Sequence, residues 1–420
     1  MTPARAAGRR SPWGVVLLLV AAMVISFFDR GNLAVAAPIL APELGLSTWS
    51  LGLLLSAFFW TYAASQIAAG WLVDRVEVRW VYAAGFLLWS TATLSTAFVG
   101  SFAGLLAMRL MLGVGEAVTY PATSRVLAAL IPERRRGLAN SLVDLGARLG
   151  PALGTMCGAL LVARLGWRGL FVITGGAGLA WLIPWLARAP KALDAERSAA
   201  PAEARPVGPG WKQLLSRRAV WGTCGGLLGA NYAWYFLLSW LPSYLVRERH
   251  FSLNSVAFVG ALPYVLMAGS SIGGGLLADR WISRGASPVK VRRGFLVTGL
   301  LLTSVLLPTV LLPRIEFAVT GLFAACFTLG IYASNLFSLT QTLAGPEAAG
   351  RWTGLQNACG NLAGIAGPIA TGWIITKTGA YTVAFVVAGL ACVCGAASFG
   401  LLVSDPLKKA VETRTPVPEG

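Results

Sequence analysis

The chain has 420 residues, of which 56% are hydrophobic and only 12% charged, with a mean hydropathy of +0.68. So little charge excludes a soluble domain of this length and makes lipid the solvent. The formal net charge of +17 would suit a nucleic-acid partner, but the basic residues fall in short loops between apolar runs, where positive charge sets membrane orientation; no nucleic-acid surface is expected. Cys157, Cys224, Cys326, Cys359, Cys392 and Cys394 lie inside apolar segments with no CxxC pair, and His250 is the single histidine, so neither a disulfide nor a metal site is expected.

In chain order, Arg5, Arg9 and Arg10 precede an apolar run that starts at Trp13. That run carries Asp29 and Arg30 and continues to about Ala37 with no small-residue cleavage site, which makes it a first membrane span rather than a signal peptide. Further apolar windows fall near 50–72, 81–99, 102–123, 138–163 and 168–187, then 219–245, 254–277, 294–313, 316–343, 352–375 and 380–403. Helices are the only spanning option, because barrel strands are shorter and alternate in polarity. Residues 188–218, rich in Ala, Pro and charge, read as a solvated linker. The expectation is an all-α membrane protein of twelve transmembrane helices: an N-terminal bundle over 1–187, a linker over 188–218, a C-terminal bundle over 219–405 and a tail over 406–420.

With the N-terminus cytoplasmic, that side carries about 24 of the 34 Lys and Arg residues, including Arg134, Arg135, Arg136, Arg280, Arg284, Lys290, Arg292 and Arg293. The opposite loops carry Arg164, Arg168, Arg247, Arg249, Arg314 and Lys377. Both termini are therefore expected on the cytoplasmic side of a bacterial inner membrane, and the chain is expected to act as a monomer.

An internal repeat supports two halves independently of hydropathy. Gly70-Trp71-Leu72-Val73-Asp74-Arg75 closes the second span and Gly275-Leu276-Leu277-Ala278-Asp279-Arg280 closes the eighth. The glycine permits close helix packing, and Asp74, Arg75, Asp279 and Arg280 can bridge helix ends in one state and release them in another. Ionised side chains inside spans are the other signal, because each costs on the order of 3 kcal/mol by insertion and persists only when paired or functional. Asp29 and Arg30 lie in the first span, and Arg109 and Glu116 lie seven residues apart on one face of the fourth. The two carboxylates can change protonation during a cycle, while an arginine keeps its charge and offers a planar fork to a carboxylate. Arg109 is the expected anchor for an anionic substrate; the alternative is a pair of structural ion pairs, Asp29 with Arg30 and Arg109 with Glu116.

The string from Gly70 to Arg79 (G-x-x-x-D-R-x-x-x-R), echoed at Asp279, resembles the loop signature of the major facilitator superfamily. Within it, FFDRGNLAVAAPIL from Phe27 and MRLMLGVGEAVTYPATSR from Met108 are similar to the anion:cation symporter family, over about Trp13 to Asp405. The resemblance implies proton-coupled uptake of organic anions such as sugar acids, dicarboxylates and aromatic carboxylates by alternating access, with no cofactor. It implies coupling roles for Asp29 and Glu116, a substrate-binding role for Arg109, and an arginine at Arg30 that interacts with the carboxylates. It also implies cavity positions at Tyr62, Ser334, Asn335 and Asn357. The fifth span departs from the pattern: where galactonate-type members carry a substrate-contacting glutamine, this chain has Ala147 flanked by Asp144 and Arg148. These two, four residues apart, either neutralise one another or leave Arg148 as a second anion anchor.

Gly137, Gly146, Gly150, Pro151 and Gly154 also match the spacing of a glycine-rich motif of drug/proton antiporters, which keeps proton-driven export as the alternative. Enzyme chemistry is not expected, since no HExxH, GxSxG, nucleotide loop or His/Cys cluster is present.

Overall fold

The computed structural model describes residues 12–189, 209–249, 253–378 and 380–404, and no strand occurs among them. Most of the expected linker (190–208), His250 and the tail over 406–420 lie outside the described residues. The helices are α1 (Trp13–Glu43), α2 (Thr48–Arg75), α3 (Val78–Thr96), α4 (Phe102–Glu116), α5 (Thr119–Leu130), α6 (Arg136–Arg188), a short α7 (Trp211–Leu215), α8 (Arg218–Arg247), α9 (Leu253–Ser283), α10 (Pro288–Leu306), α11 (Ile315–Ala344), α12 (Ala349–Thr378) and α13 (Thr382–Leu402). With α4 and α5 as one bent segment and α6 as two arms, they make twelve membrane-length segments. Eight stretches among the described residues are, by length and composition alone, apolar enough to cross a bilayer.

Two departures from the apolar windows have local causes. The fourth span breaks at Ala117 and Val118, because Pro121 has no N–H to give the Ala117 carbonyl, and α5 then runs on to Leu130. The fifth and sixth spans follow one another in α6 through Gly166, whose φ of 71° is open to glycine and strained for residues with a Cβ.

Buried side chains form separate cores in the two halves. The first half is filled by clusters running from Val15 to Ala189, the second by clusters from Leu214 to Val403. In the first half the rings of Phe86 and Trp181 stack at 3.9 Å and Trp181 stacks on Trp185 at 5.3 Å, joining α3 to the second arm of α6. The indole N–H groups of Trp181 and Trp185 donate to the carbonyls of Leu18 and Arg79, both at 3.0 Å, so neither polar atom is buried without a partner.

The helix ends near the two chain termini form one face, called the terminal face below. Contacts such as Arg79 Nη2 to Leu186 O at 2.6 Å and Arg293 Nη1 to Val403 O at 2.7 Å tie it together. On the opposite face, Glu43 accepts from Arg168 at 2.5 Å and from Trp167 at 2.6 Å.

Candidate functional site

Between the halves lies a cavity of about 390 Å³, a volume suited to a small organic molecule. Its charged lining is Arg30 of α1 and Asp144 and Arg148 of α6. Tyr62, Tyr120, Trp234, Tyr235 and Phe337 supply aromatic walls, and Asn140, Asn231, Gln341, Asn357 and Asn361 supply amides.

Arg30 is held in place from behind. Its Nε donates to Glu116 Oε2 at 2.7 Å, and the rings of Phe27, Tyr62 and Phe58 lie 4.3, 4.5 and 4.9 Å from its guanidinium carbon. Glu116 is fully buried and also accepts from Ser26 Oγ at 2.7 Å. Asp29 faces away from this pair and accepts from Asn32 Nδ2 at 3.1 Å, the same amide that reaches Thr174 Oγ1 at 3.0 Å. Asp29 Oδ2 and Glu116 Oε1 are buried with no hydrogen-bond partner among the described residues. A proton can settle on either atom without displacing a bond already made.

This arrangement departs from the alternative of two structural ion pairs, and the Arg30–Glu116 contact is of the kind that the resemblance implies for Arg30. Glu116 pairs with Arg30 rather than Arg109, and Asp29 pairs with an amide rather than Arg30. Arg109 is buried and lies off the cavity wall. Its Nε donates to Leu54 O at 3.2 Å, toward the opposite face, and Glu116 and Asp29 are its electrostatic neighbours. Of Arg30 and Arg109, it is Arg30 that meets the cavity. Ser334 and Asn335 are likewise buried off the wall, with Ser334 Oγ donating to Ile331 O at 2.8 Å and accepting from Asn335 Nδ2 at 2.9 Å. Of the amide and hydroxyl positions expected, Tyr62 and Asn357 do meet, with Asn357 Nδ2 3.4 Å from the Tyr62 hydroxyl across the two halves.

At the terminal face the repeated aspartates make matching contacts. Asp74 at the end of α2 accepts from the N–H groups of Gly350 (3.0 Å) and Arg351 (2.8 Å), and Asp279 in the last turns of α9 accepts from Gly137 (3.0 Å) and Leu138 (2.8 Å). Each carboxylate thus caps the first turn of a helix in the other half, α12 or α6, where free N–H groups and the positive helix end favour an anion. Such close approach requires glycine: a Cβ on Gly70 would stand 2.6 Å from Gly350 O, and one on Gly137 2.6 Å from Gly275 O. Arg351 Nε adds a bond to Asp74 at 2.9 Å, and Arg292 lies 3.5 Å from Asp279 and 3.1 Å from Glu133. Arg75 and Arg280 take no part in these bridges. Arg75 lies over the Trp71 ring at 4.7 Å, and Arg280 is exposed. Deeper polar bonds continue the seal, including Asn140 with Ser338 and Gln341 at 3.0 Å and Thr353 with Ser124 at 2.7 Å.

Two six-segment halves, a cavity between them and a repeated cap at one end are matched by sequence. A model of the Major Facilitator Superfamily fits residues 19–291 and 289–419. The chain belongs to the Major Facilitator Superfamily. It is similar to the probable sulfoacetate transporter of Cupriavidus necator, 32% identical over 94% of this chain and 95% of that one. It is 30% identical to the probable galactarate/D-glucarate transporter of Escherichia coli over 94% of this chain and 93% of that one. Sodium-dependent phosphate transport protein 1 of Arabidopsis thaliana chloroplasts is 31% identical, over 86% and 73% of the two chains. In fold it resembles the solved transporter FucP in its outward conformation, with a TM-score of 0.73 at 16% identity over 94% of this chain and all of that one. It also resembles the human organic anion transporter MFSD10, at 0.69 and 17% over 93% of this chain and all of that one. As a member of the Major Facilitator Superfamily the chain is a multi-pass membrane transporter and not an enzyme.

Several residues of this facilitator's cavity went unremarked in the sequence. Asn361 stands one helical turn beyond Asn357, accepts from the Tyr235 hydroxyl at 3.2 Å and donates to Asn357 O at 2.7 Å. A pair of asparagines four residues apart, on one face of the helix, was the available signal. Tyr120 follows directly on the α4–α5 break and packs against Phe337 at 5.2 Å. Among the aromatic residues of the spans, Trp234, Tyr235 and Phe337 line the cavity, Tyr232 bonds Thr371 at 3.2 Å, and Trp60 is exposed on the outer surface.

Proposed function

We propose that this chain takes up a small organic anion together with protons, with the terminal face cytoplasmic in a bacterial inner membrane. The observation that carries the reading is Arg30: a permanent cation on the cavity wall, held on its far side by the buried carboxylate of Glu116. The names of the relatives, which include sulfoacetate and galactarate/D-glucarate transporters, point the same way.

The cycle follows from the bonds. With the terminal face sealed by Asp74 and Asp279, substrate enters from outside. A proton on Glu116 removes the negative charge that competes for Arg30, a proton on Asp29 lowers the negative charge of the same buried cluster, and the substrate carboxylate takes the guanidinium edge that Glu116 leaves open. The aspartate caps then release, the halves rock, and proton and anion leave inside. Charge-assisted hydrogen bonds are worth about 1.5–3 kcal/mol each, so the caps must be offset by contacts of similar total strength in the inward state for the carrier to turn over. Arg109, set among the carboxylates, serves their charge balance rather than substrate contact. The glycines behind the export alternative have a packing role: a Cβ on Gly146 would lie 2.7 Å from Val20 O, and one on Gly150 2.9 Å from Val24 O, both on α1.

The test is thermal stability of the purified protein against sugar acids, dicarboxylates, aromatic acids and cationic drugs. Stabilisation by an organic acid, lost in Arg30→Gln and kept in Arg75→Ala, supports the reading; stabilisation by cations alone overturns it in favour of export.

A further inference from the structure

The second arginine of the cavity is held quite differently from the first. Arg148 Nη2 lies 3.4 Å from Asp144 Oδ1, a long contact within one turn of α6, and its guanidinium carbon sits 4.3 Å from the centre of the Trp234 ring on α8. Arg148 Nε and Asp144 Oδ2 are both buried without a hydrogen-bond partner among the described residues. Both residues line the cavity. A buried N–H of a guanidinium and a buried carboxylate oxygen left bare are costly, so this pair is incompletely satisfied by the protein, and the side chains that carry them are part of the cavity wall.

We infer that Arg148 is a specificity-determining anchor for a second anionic group, so that the preferred substrate is a short acid carrying two, either two carboxylates or a carboxylate and a sulfonate. The inference rests on the organic-anion reading and deepens it. One group takes Arg30. The other takes the part of the Arg148 guanidinium that lines the cavity, which Asp144 holds only by a long contact, while the Trp234 face keeps the guanidinium plane in place. Arg148 stands on the first half and Trp234 on the second, so an anion bound there touches the junction between halves, where binding can be felt by the rocking motion. Asp144 is the internal competitor that occupies Arg148 loosely in the empty carrier. Asn357 and Asn361 occupy the matching places in the second half, seven and eleven residues beyond the capped Gly350, as Asp144 and Arg148 are beyond Gly137. The repeat has therefore put its charged version of this position in one half and its neutral version in the other.

Matched acids that differ by one charge test this: succinate against succinamate, and sulfoacetate against its amide, titrated onto the purified full-length protein. Wild type should bind the two-charge member of each pair more tightly. Arg148→Gln should weaken that member about 10- to 100-fold and leave the one-charge member within about 2-fold, which also reports that the variant is folded. Asp144→Asn, which removes the competitor, should tighten the two-charge member. An unchanged preference in Arg148→Gln, or equal binding of both members by wild type, overturns the inference while leaving the anion reading intact. Failure of every acid to bind overturns both.

Discussion

At the terminal face the carboxylates of Asp74 and Asp279 have both oxygens engaged by backbone N–H groups of the opposite half. In the interior, Asp29, Glu116 and Asp144 each keep one buried oxygen bare among the described residues. The same side-chain chemistry is thus used in two ways. A saturated carboxylate at a helix end holds two bodies together, and its energy is recovered when the cap re-forms. A half-satisfied carboxylate beside an arginine is poised for exchange, because a proton or a substrate anion can replace what it now does. Holding and exchanging are separated along the membrane normal, with the seal at one end and the exchange sites around the cavity.

The contrast can be broken from either side. The largest effect is expected from Arg30→Gln, which leaves Glu116 with Ser26 as its remaining bonded partner and removes the cavity's buried-pair cation; expression-normalised uptake should fall by about 100-fold or more. Asp74→Asn keeps shape but gives up the charge that caps α12 and meets Arg351, and should slow transport about 10-fold with little change in substrate affinity. Asp279→Asn should be milder, about 3-fold, because Arg292 retains Glu133 at 3.1 Å whereas Arg351 loses its carboxylate partner. Arg75→Ala and Arg280→Ala should stay within about 2-fold, since neither side chain bridges the halves; an effect of either as large as that of Asp74→Asn would dissolve the distinction between the aspartate caps and the arginines beside them.

The last pair shows where sequence reading stops. The repeated Asp-Arg was legible and its place at the second and eighth span ends was right, but neighbouring residues on a helix point about 100° apart, so both cannot face the same partner. Which arginine meets the cavity was hidden for a related reason. Arg30 and Arg109 sit in equally specific motifs, and the choice depends on helix rotation and on the Leu54 carbonyl that draws Arg109 aside. The spans themselves were legible because lipid forces long apolar windows, whereas the break after Glu116 depends on one missing N–H at Pro121. The i,i+4 spacing of Asp144 and Arg148 did foretell their contact, while the bare atoms that give it interest appear only in three dimensions. Ser334 and Asn335 illustrate the reverse: polar residues in a span whose bonds stay within their own helix, from Asn335 to Ser334 and from Ser334 to the Ile331 carbonyl.

The most direct measurement is accumulation of the stabilising acid in proteoliposomes under an imposed pH gradient, acid outside, comparing wild type with Glu116→Gln. Wild type is expected to concentrate the acid, and to stop when the gradient is collapsed. Glu116→Gln is expected to exchange labelled for unlabelled acid across the membrane yet fail to concentrate it. A Glu116→Gln protein that still accumulates the acid against its gradient, or a wild type indifferent to the pH gradient, would contradict proton-coupled uptake through this cavity.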